Sequence, residues 1–175
     1  SIWSTSNSQY KCVAKLEGHE NEVKAVRFSP DGRRIATCGR DRTVWIWSID
    51  VDHGDSEGAE FECEAVLQEH SQDVKCLQWH PSGDILFSGS YDNTVRQFAS
   101  PLDADEWLCL DTLDGHASTV WAVCWHHPHL YTTSDDKTII KWVDTNTSSN
   151  KFNMSLKPDM RIEGVHEESI YTMVV

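Results

Sequence analysis

Three times along the chain a histidine, a hydroxyl residue and an aspartate recur in the same order: His19, Thr37 and Asp41; His70, Ser88 and Asp92; His116, Thr132 and Asp136. Those are the residue types of a hydrolase, with an aspartate to orient an imidazole, an imidazole to take a proton and a hydroxyl to attack a carbonyl. An aromatic residue closes each set six positions beyond the aspartate: Trp47, Phe98 and Trp142. A catalytic site is built once, whereas this constellation is built three times and ends on a ring that acyl transfer does not use. The spacing therefore predicts a structural network. The histidine and nearby turn amides satisfy a carboxylate that is otherwise costly to bury, and the chain of bonds staples neighbouring strands. Phe98 has no N–H to donate, so the middle set is expected to be incomplete. No catalytic residue is assigned.

The six cysteines raise a metal question, but there is no CxxC pair, and their gaps are 26, 25, 13, 33 and 15 residues. Cys12, Cys63 and Cys109 each lie seven residues before a histidine. They occupy equivalent sites in separate structural units, too far apart to share an ion with Zn–S bonds of about 2.3 Å. Cys38, Cys76 and Cys124 read as strand residues packing as small hydrophobes. The stretch WHHPHL, with His126, His127 and His129, is the one local metal candidate. It reads better as a shortened turn with exposed histidines, and no metal or cofactor is assigned.

The elements that must hold these residues are short strands. VKAVRF, RRIATC and TVWIW are rich in β-branched and aromatic residues, and SPDG and HPSG are tight-turn sequences. A further strand precedes each histidine: YKCVAKL, FECEAVL and WLCLDTL. Each unit thus has four strands. The histidines recur at intervals of 51, 46 and 50 residues. Repeats of about 40–45 residues with Gly-His and Trp signatures are those of WD40 propeller blades. The fold class is all-β: an incomplete arc of a β-propeller, just under four blades. Residues 1–16 end a preceding blade, 17–67, 68–113 and 114–163 form three full blades, and 164–175 open a following one, for fifteen strands in all. Propellers close on themselves to remove edges. The rest of the ring is expected from another chain, another copy or further sequence.

Composition sets other limits. Hydrophobic residues make up 39% and charged residues 25% of the 175, as in a soluble globular chain. The longest apolar run is far too short to span a membrane. SIWSTSNSQY has neither the basic nor the apolar region of a signal peptide, and six cysteines without one fit a reducing compartment. A net charge of −13 argues against nucleic acid as a partner. The acidic stretches DVDHGDSEGAEFECE (Asp50 to Glu64) and PLDADEW sit between repeats and read as solvated loops.

Propellers bind through the top rim, where the histidine-side loops enter the innermost strands. Three positions per blade face it: three and five after the histidine, and one before the turn aspartate. They are Glu22, Lys24 and Arg40; Asp73, Lys75 and Tyr91; Thr119, Trp121 and Asp135; then Ser169 and Tyr171. Lys24, Arg40, Lys75, Tyr91, Trp121 and Tyr171 form a basic and aromatic set, and aromatics and arginine are typical interface anchors. Peptides with acidic and aromatic side chains would complement it.

LEGHENEVKAV with ATCGRDRTVWIW, HSQDVKCLQWHPSGDILFSGSYDNTV, GHASTVWAV with TSDDKTIIKW, and GVHEESIYTM resemble the WD-repeat subunit of the cytosolic iron–sulfur protein assembly targeting complex, the Cia or Ciao family. The resemblance spans nearly all of the chain. It implies a seven-bladed, non-enzymatic adaptor, cytoplasmic and also nuclear, that holds no cluster itself. Its implied partners are a small adaptor subunit, a HEAT-repeat subunit and the iron–sulfur apoprotein clients that receive clusters. Two other readings share the fold or the thiols: a ubiquitin-ligase substrate receptor, which would bring a second recruiting domain, and a metal- or cluster-carrying protein, which would need converging ligands.

Overall fold

A computed structural model describes residues 1–6, 9–50, 60–101, 106–146 and 151–173. The centres of both acidic inter-repeat stretches, and residues 174–175 of the expected last strand, lie outside the described residues. Fourteen strands are present among them. β1 (Ile2–Ser6) and β2 (Gln9–Ala14) form a two-stranded sheet. β3 (Val23–Phe28), β4 (Arg34–Gly39), β5 (Val44–Asp50) and β6 (Glu60–Leu67) form the first four-stranded sheet. β7 (Val74–Trp79), β8 (Ile85–Ser90), β9 (Thr94–Ala99) and β10 (Leu108–Asp114) form the second. The third contains β11 (Val120–His126), β12 (His129–Ser134), β13 (Ile139–Asp144) and β14 (Leu156–Ile162), with a 3-10 turn at Lys151–Asn153 before β14. Every pairing is antiparallel between sequence neighbours, so each sheet is a meander.

Turn chemistry places the strand ends. Gly32 and Gly83 adopt φ of 72° and 80° in the turns after β3 and β7, where a side chain would be strained. Less obviously, Arg42, Asn93 and Lys137 adopt φ of 69°, 71° and 68°, each one residue after a network aspartate. That aspartate stabilises the turn by accepting from the backbone N–H two residues on, at 3.1, 3.1 and 3.0 Å.

The sheets stack face to face. Ala36, Cys38, Val44 and Ile46 of the first pack on Val74, Leu77, Trp79, Leu86 and Phe98 of the second. Phe87, Val95 and Ala99 of the second pack on Val120, Val123, Leu130, Ile140 and Trp142 of the third. Polar bonds tie the first layer at its margins: Trp79 donates to the Arg27 carbonyl at 3.1 Å, and Trp107 to Glu64 at 2.9 Å, with Arg34 on the same carboxylate.

Gln97 alternates with Val95 and Ala99, so its amide points into the second layer, where it is fully buried and neither Nε2 nor Oε1 finds a protein partner. An unmatched buried polar group costs about 1–3 kcal/mol, whereas an apolar isostere of the same shape does not. Gln97→Leu or Gln97→Met should therefore raise the unfolding free energy by an amount in that range, seen as a higher denaturant midpoint. A lower midpoint for both variants would show that the amide contributes bonds.

One element differs from expectation. Ile170–Met173 joins no ladder, although Ile170 is buried and its N–H reaches the Ser134 carbonyl at 3.3 Å. The segment docks beside β11 where an innermost strand would lie. A strand needs a hydrogen-bonding neighbour, and among the described residues nothing follows it to pair with.

Candidate functional site: the top rim

The network sets position the rim. His19, His70 and His116 place Nδ1 at 2.7, 2.9 and 2.9 Å from Oδ2 of Asp41, Asp92 and Asp136. Their Nε2 atoms lie 2.9, 2.7 and 2.7 Å from the hydroxyls of Thr37, Ser88 and Thr132. With the carboxylates ionised, Nδ1–H donates to aspartate and the hydroxyl donates to Nε2. The same hydroxyl accepts from the indole N–H of Trp47 at 3.1 Å and of Trp142 at 2.9 Å. Phe98 sits at the corresponding point of the second sheet and donates nothing. Each Oδ2 also accepts from the amide following the histidine, at 3.1, 3.0 and 2.8 Å. The hydroxyls of Ser88 and Thr132 lie within the stacked sheets and expose none of their surface, while Thr37, with His19 and Trp47, lines a cavity on the outer face of the first sheet.

This satisfaction shows in the acidities. Burial alone would raise the carboxyl of Asp136, but Thr138, the Ala117 amide and His116 outweigh it and lower the pKa to about 2. Asp41 and Asp92 are shifted below the ordinary range in the same sense, against burial, by Thr43 with His19 and by His70 with Thr94. Burial lowers the pKa of His116, opposed by Asp136. The sign is the same for all four groups: below their ordinary values, 3.8 for aspartate and 6.5 for histidine, the unfolded chain binds more protons than the folded one. Stability is full above about pH 7. It should fall first as acid titrates His116, and more steeply below about pH 4 as the carboxylates protonate. Urea midpoints at neutral, mildly acidic and strongly acidic pH test this, and a midpoint that rises on acidification would contradict it.

The rim residues come together through a backbone device. In β3 the ladder runs Val23↔Gly39 and then Ala25↔Cys38, skipping Lys24. In β7 it skips Lys75, and in β11 it skips Trp121. The residue five beyond each histidine is thus the extra residue of a β-bulge, which turns its side chain out of the pleat towards the rim. The other two rim positions are joined by the backbone: Arg40 N–H donates to Glu22 at 2.8 Å, Tyr91 to Asp73 at 2.9 Å, and Asp135 to Thr119 at 2.9 Å. In the first sheet this crossing is so close that a Cβ on Gly39 would lie 2.7 Å from the Glu22 carbonyl.

The side chains then interlock across sheets. The Lys75 ammonium lies 3.0 Å from Asp73, 5.1 Å from the Tyr91 ring centre and 5.5 Å from that of Trp121. Trp121 in turn meets Tyr171 edge to face at 5.1 Å. Asp135 accepts from Ser169 and, at 3.3 Å, from Ser118, which together with the nearby Trp121 indole hold its carboxyl below the ordinary range. Lys24 pairs with Glu22 at 2.6 Å, and Glu22 is lowered chiefly by Lys24 and further by Arg40 and Lys75. The expected basic character is therefore reduced, since both lysines are neutralised by the acidic residue two positions earlier. What faces outward is an aromatic platform of Tyr91, Trp121 and Tyr171 with Arg40 beside it. Below the platform a cavity of about 460 Å³ opens along the inner strands, lined by Lys24, Arg27, Lys75, Gln78, Trp121 and Tyr171 among others.

Among the described residues no three His, Cys, Asp or Glu side chains converge on a metal position, and His126, His127 and His129 border the β11–β12 turn. All six thiols are free, and burial pushes Cys76 up to about 12. Cys12, Cys63 and Cys109 mark a second family of bulges. Each pairs opposite Trp3, Trp47 or Phe98, the ladder skips the next residue, and Sγ lies 3.6, 3.9 and 3.7 Å from the carbonyl two residues on. In β14 Pro158 stands opposite Trp142 and Asp159 is skipped, a position where proline costs no ladder bond.

Comparison with known proteins agrees with this architecture. The model described as WD domain, G-beta repeat matches residues 10–48, 61–98 and 107–142. A protein of Scheffersomyces stipitis named "Probable cytosolic iron-sulfur protein assembly protein 1" is 36% identical over 189 aligned residues, covering 98% of this chain and 51% of its own length. Proteins of the same name from Pyricularia oryzae and Chaetomium globosum are 46% and 43% identical over 73% and 63% of this chain. The chain spans only 32% and 28% of those two, so it matches about half of these relatives' length or less. A solved structure described as "Structure of U3-55K" superposes with a TM-score of 0.66 over 88% of this chain and 42% of its own, at 22% identity, which is a likeness of fold. Repeats, sheets and matched residues coincide: the chain belongs to the WD40 family of WD-domain, G-beta repeats.

Proposed function

We propose that this chain is part of a non-enzymatic WD-repeat adaptor in cytosolic iron–sulfur protein assembly. The observation that carries the reading is similarity across 98% of the chain to a protein named for that process. In this reading the blades, at 17–67, 68–113 and 114–163, act as a rigid frame for the rim. Glu22, Lys24, Arg40, Asp73, Lys75, Tyr91, Thr119, Trp121, Asp135 and Tyr171 meet protein partners. Those partners are a small adaptor subunit, a HEAT-repeat subunit and apoprotein clients in the cytosol and nucleus. The aromatic platform beside Arg40 suits peptides that carry aromatic and acidic side chains. The scaffold helps deliver clusters to apoproteins without holding one itself.

The test is affinity capture of the chain from cells in its natural context, with mass spectrometry of what is bound. Enrichment of iron–sulfur assembly proteins and apoprotein clients is the expected result. Enrichment of ubiquitin-ligase components without them would replace this reading with the substrate-receptor one.

A further inference from the structure

The turns at the end of the sheets opposite the rim carry a titratable cluster that the rim does not use. The turn after β3 closes on Ser29, whose N–H donates to the Arg34 carbonyl at 2.9 Å and whose carbonyl accepts from Gly32 at 2.9 Å. The turn after β7 repeats both bonds, at 2.8 and 2.9 Å, with His80 in the serine's place. The backbone therefore needs no imidazole there. His80 is half-buried, its ring centre 4.4 Å from that of Trp125 in β11, edge to face. Its Nδ1 accepts from the Ser82 N–H at 3.1 Å and lies 2.8 Å from the Ser82 hydroxyl. An N–H donor aimed at Nδ1 fixes the tautomer: Nδ1 is bare and Nε2 carries the proton.

Among the described residues three charged or titratable groups act on this ring. Asp84 lies in its own turn, His127 in the turn after β11, and Lys151 in the 3-10 turn before β14. The Lys151 ammonium is bonded to Asp84, 67 residues away along the chain. That ion pair ties the β13–β14 connection of the third sheet to the second. Just beyond it, Phe152 and Met154 pack on the core between the two sheets. Burial first, then Lys151 and His127, hold the His80 pKa below 6.5, against the pull of Asp84.

We propose that His80 is an acid-sensing latch: neutral, it leaves Asp84 to hold Lys151, and protonated, it takes Asp84 for itself and releases the β13–β14 connection from the second sheet. Protonation puts a hydrogen on Nδ1, which then opposes the Ser82 N–H it had accepted. The imidazolium also becomes a second cation beside Lys151, competing for one carboxylate. His80 shares a turn with Asp84, so that pairing orders little further chain, whereas the released lysine regains its rotamer freedom. The Lys151–Asp84 pair is partly exposed, and such pairs are readily exchanged. Because the folded pKa lies below the unfolded one, the latch is closed above 6.5 and opens as pH falls through the folded value.

Long-range ¹H–¹⁵N correlation spectra of the chain, with His80 assigned by its loss in His80→Gln, read tautomer and titration together. The Nε2–H form at neutral pH and a midpoint below 6.5 are expected. Lys151→Met should raise that midpoint, because it removes a cation and frees Asp84. The Met154 and Ser155 amides, which donate to the Lys151 carbonyl and to Asp144, report the connection itself. Their hydrogen-exchange protection factors should fall by about tenfold or more between about pH 7.5 and about pH 5, and stay level in His80→Gln. A midpoint at or above 6.5, as an imidazolium held on the Trp125 ring would give, would overturn the proposal. So would an unchanged midpoint in Lys151→Met, level protection in the unaltered chain, or an equal fall in His80→Gln, which would place the acid-sensitive group elsewhere.

Discussion

Asp136→Ala should lower the unfolding free energy by about 3–5 kcal/mol, because it leaves several buried donors unsatisfied at about 1–3 kcal/mol each. The carboxylate accepts from His116, from the Ala117 and Thr138 amides and from the Thr138 hydroxyl, and deletion leaves all four donors without it. Arg161 approaches the same group at 3.7 Å, so a cation also loses its counter-charge. Trp142→Phe is the matched mild variant, because the second sheet already places Phe98 at that point with Ser88 lacking an indole donor. It should cost only about 1 kcal/mol, the net value of one hydrogen bond. Urea unfolding of both variants, followed by far-ultraviolet circular dichroism, checks the ranking. Equal costs, or a loss under about 1 kcal/mol for Asp136→Ala, would show that the network does not hold the blade.

Trp121→Ala should weaken capture of the protein partner by about tenfold to a hundredfold, as the loss of a central aromatic anchor does. The indole is raised by its bulge, touches Lys75 and Tyr171, and sits where residues of the second and third sheets and the last segment meet. Lys75→Glu should act in the same direction for another reason. It removes the ammonium from between Tyr91 and Trp121, contacts worth about 0.5–2 kcal/mol each, and places like charges beside Asp73. The pair Lys24→Glu with Lys75→Glu extends the effect to the first sheet. Both bulged residues lie off the strand ladders, but the Lys75 side chain is only 11% exposed, so its variant should lose some stability while remaining folded. Titration of captured partner against immobilised variants, alongside thermal melts, separates the two quantities. Undiminished binding by soluble, folded variants would remove the rim from the functional account.

How much of this was legible in the sequence follows from what each feature depends on. The His–Thr–Asp–Trp sets and the rim positions depend on counts along one chain, and counting found them. The bulges depend on register between two chains of residues. VKAVRF alternates without a visible break, and only its pairing with RIATCG reveals that Lys24 is extra. Cys12, Cys63 and Cys109 were visible as a recurrence, but their cause, a bulge opposite the indole position, is again a matter of register. Lys24 and Lys75 looked like free positive charge because a linear reading does not show that a bulge folds each back onto Glu22 or Asp73. A signal was present, an acidic residue two before each lysine, yet in a regular strand such residues share a face without necessarily pairing. Ile170–Met173 has strand-forming residues, but a strand is a property of two partners, and its second partner is not among the described residues.

Hydrogen–deuterium exchange of the chain, free and bound to its captured partner, tests the central idea most directly. Protection on binding is expected at residues 22–24, 73–75 and 119–121 and in the segment around Tyr171, with β6, β10 and β14 unchanged. Protection confined to those outer strands, or to the turns that follow β3 and β7 at the opposite end of the sheets, would contradict it.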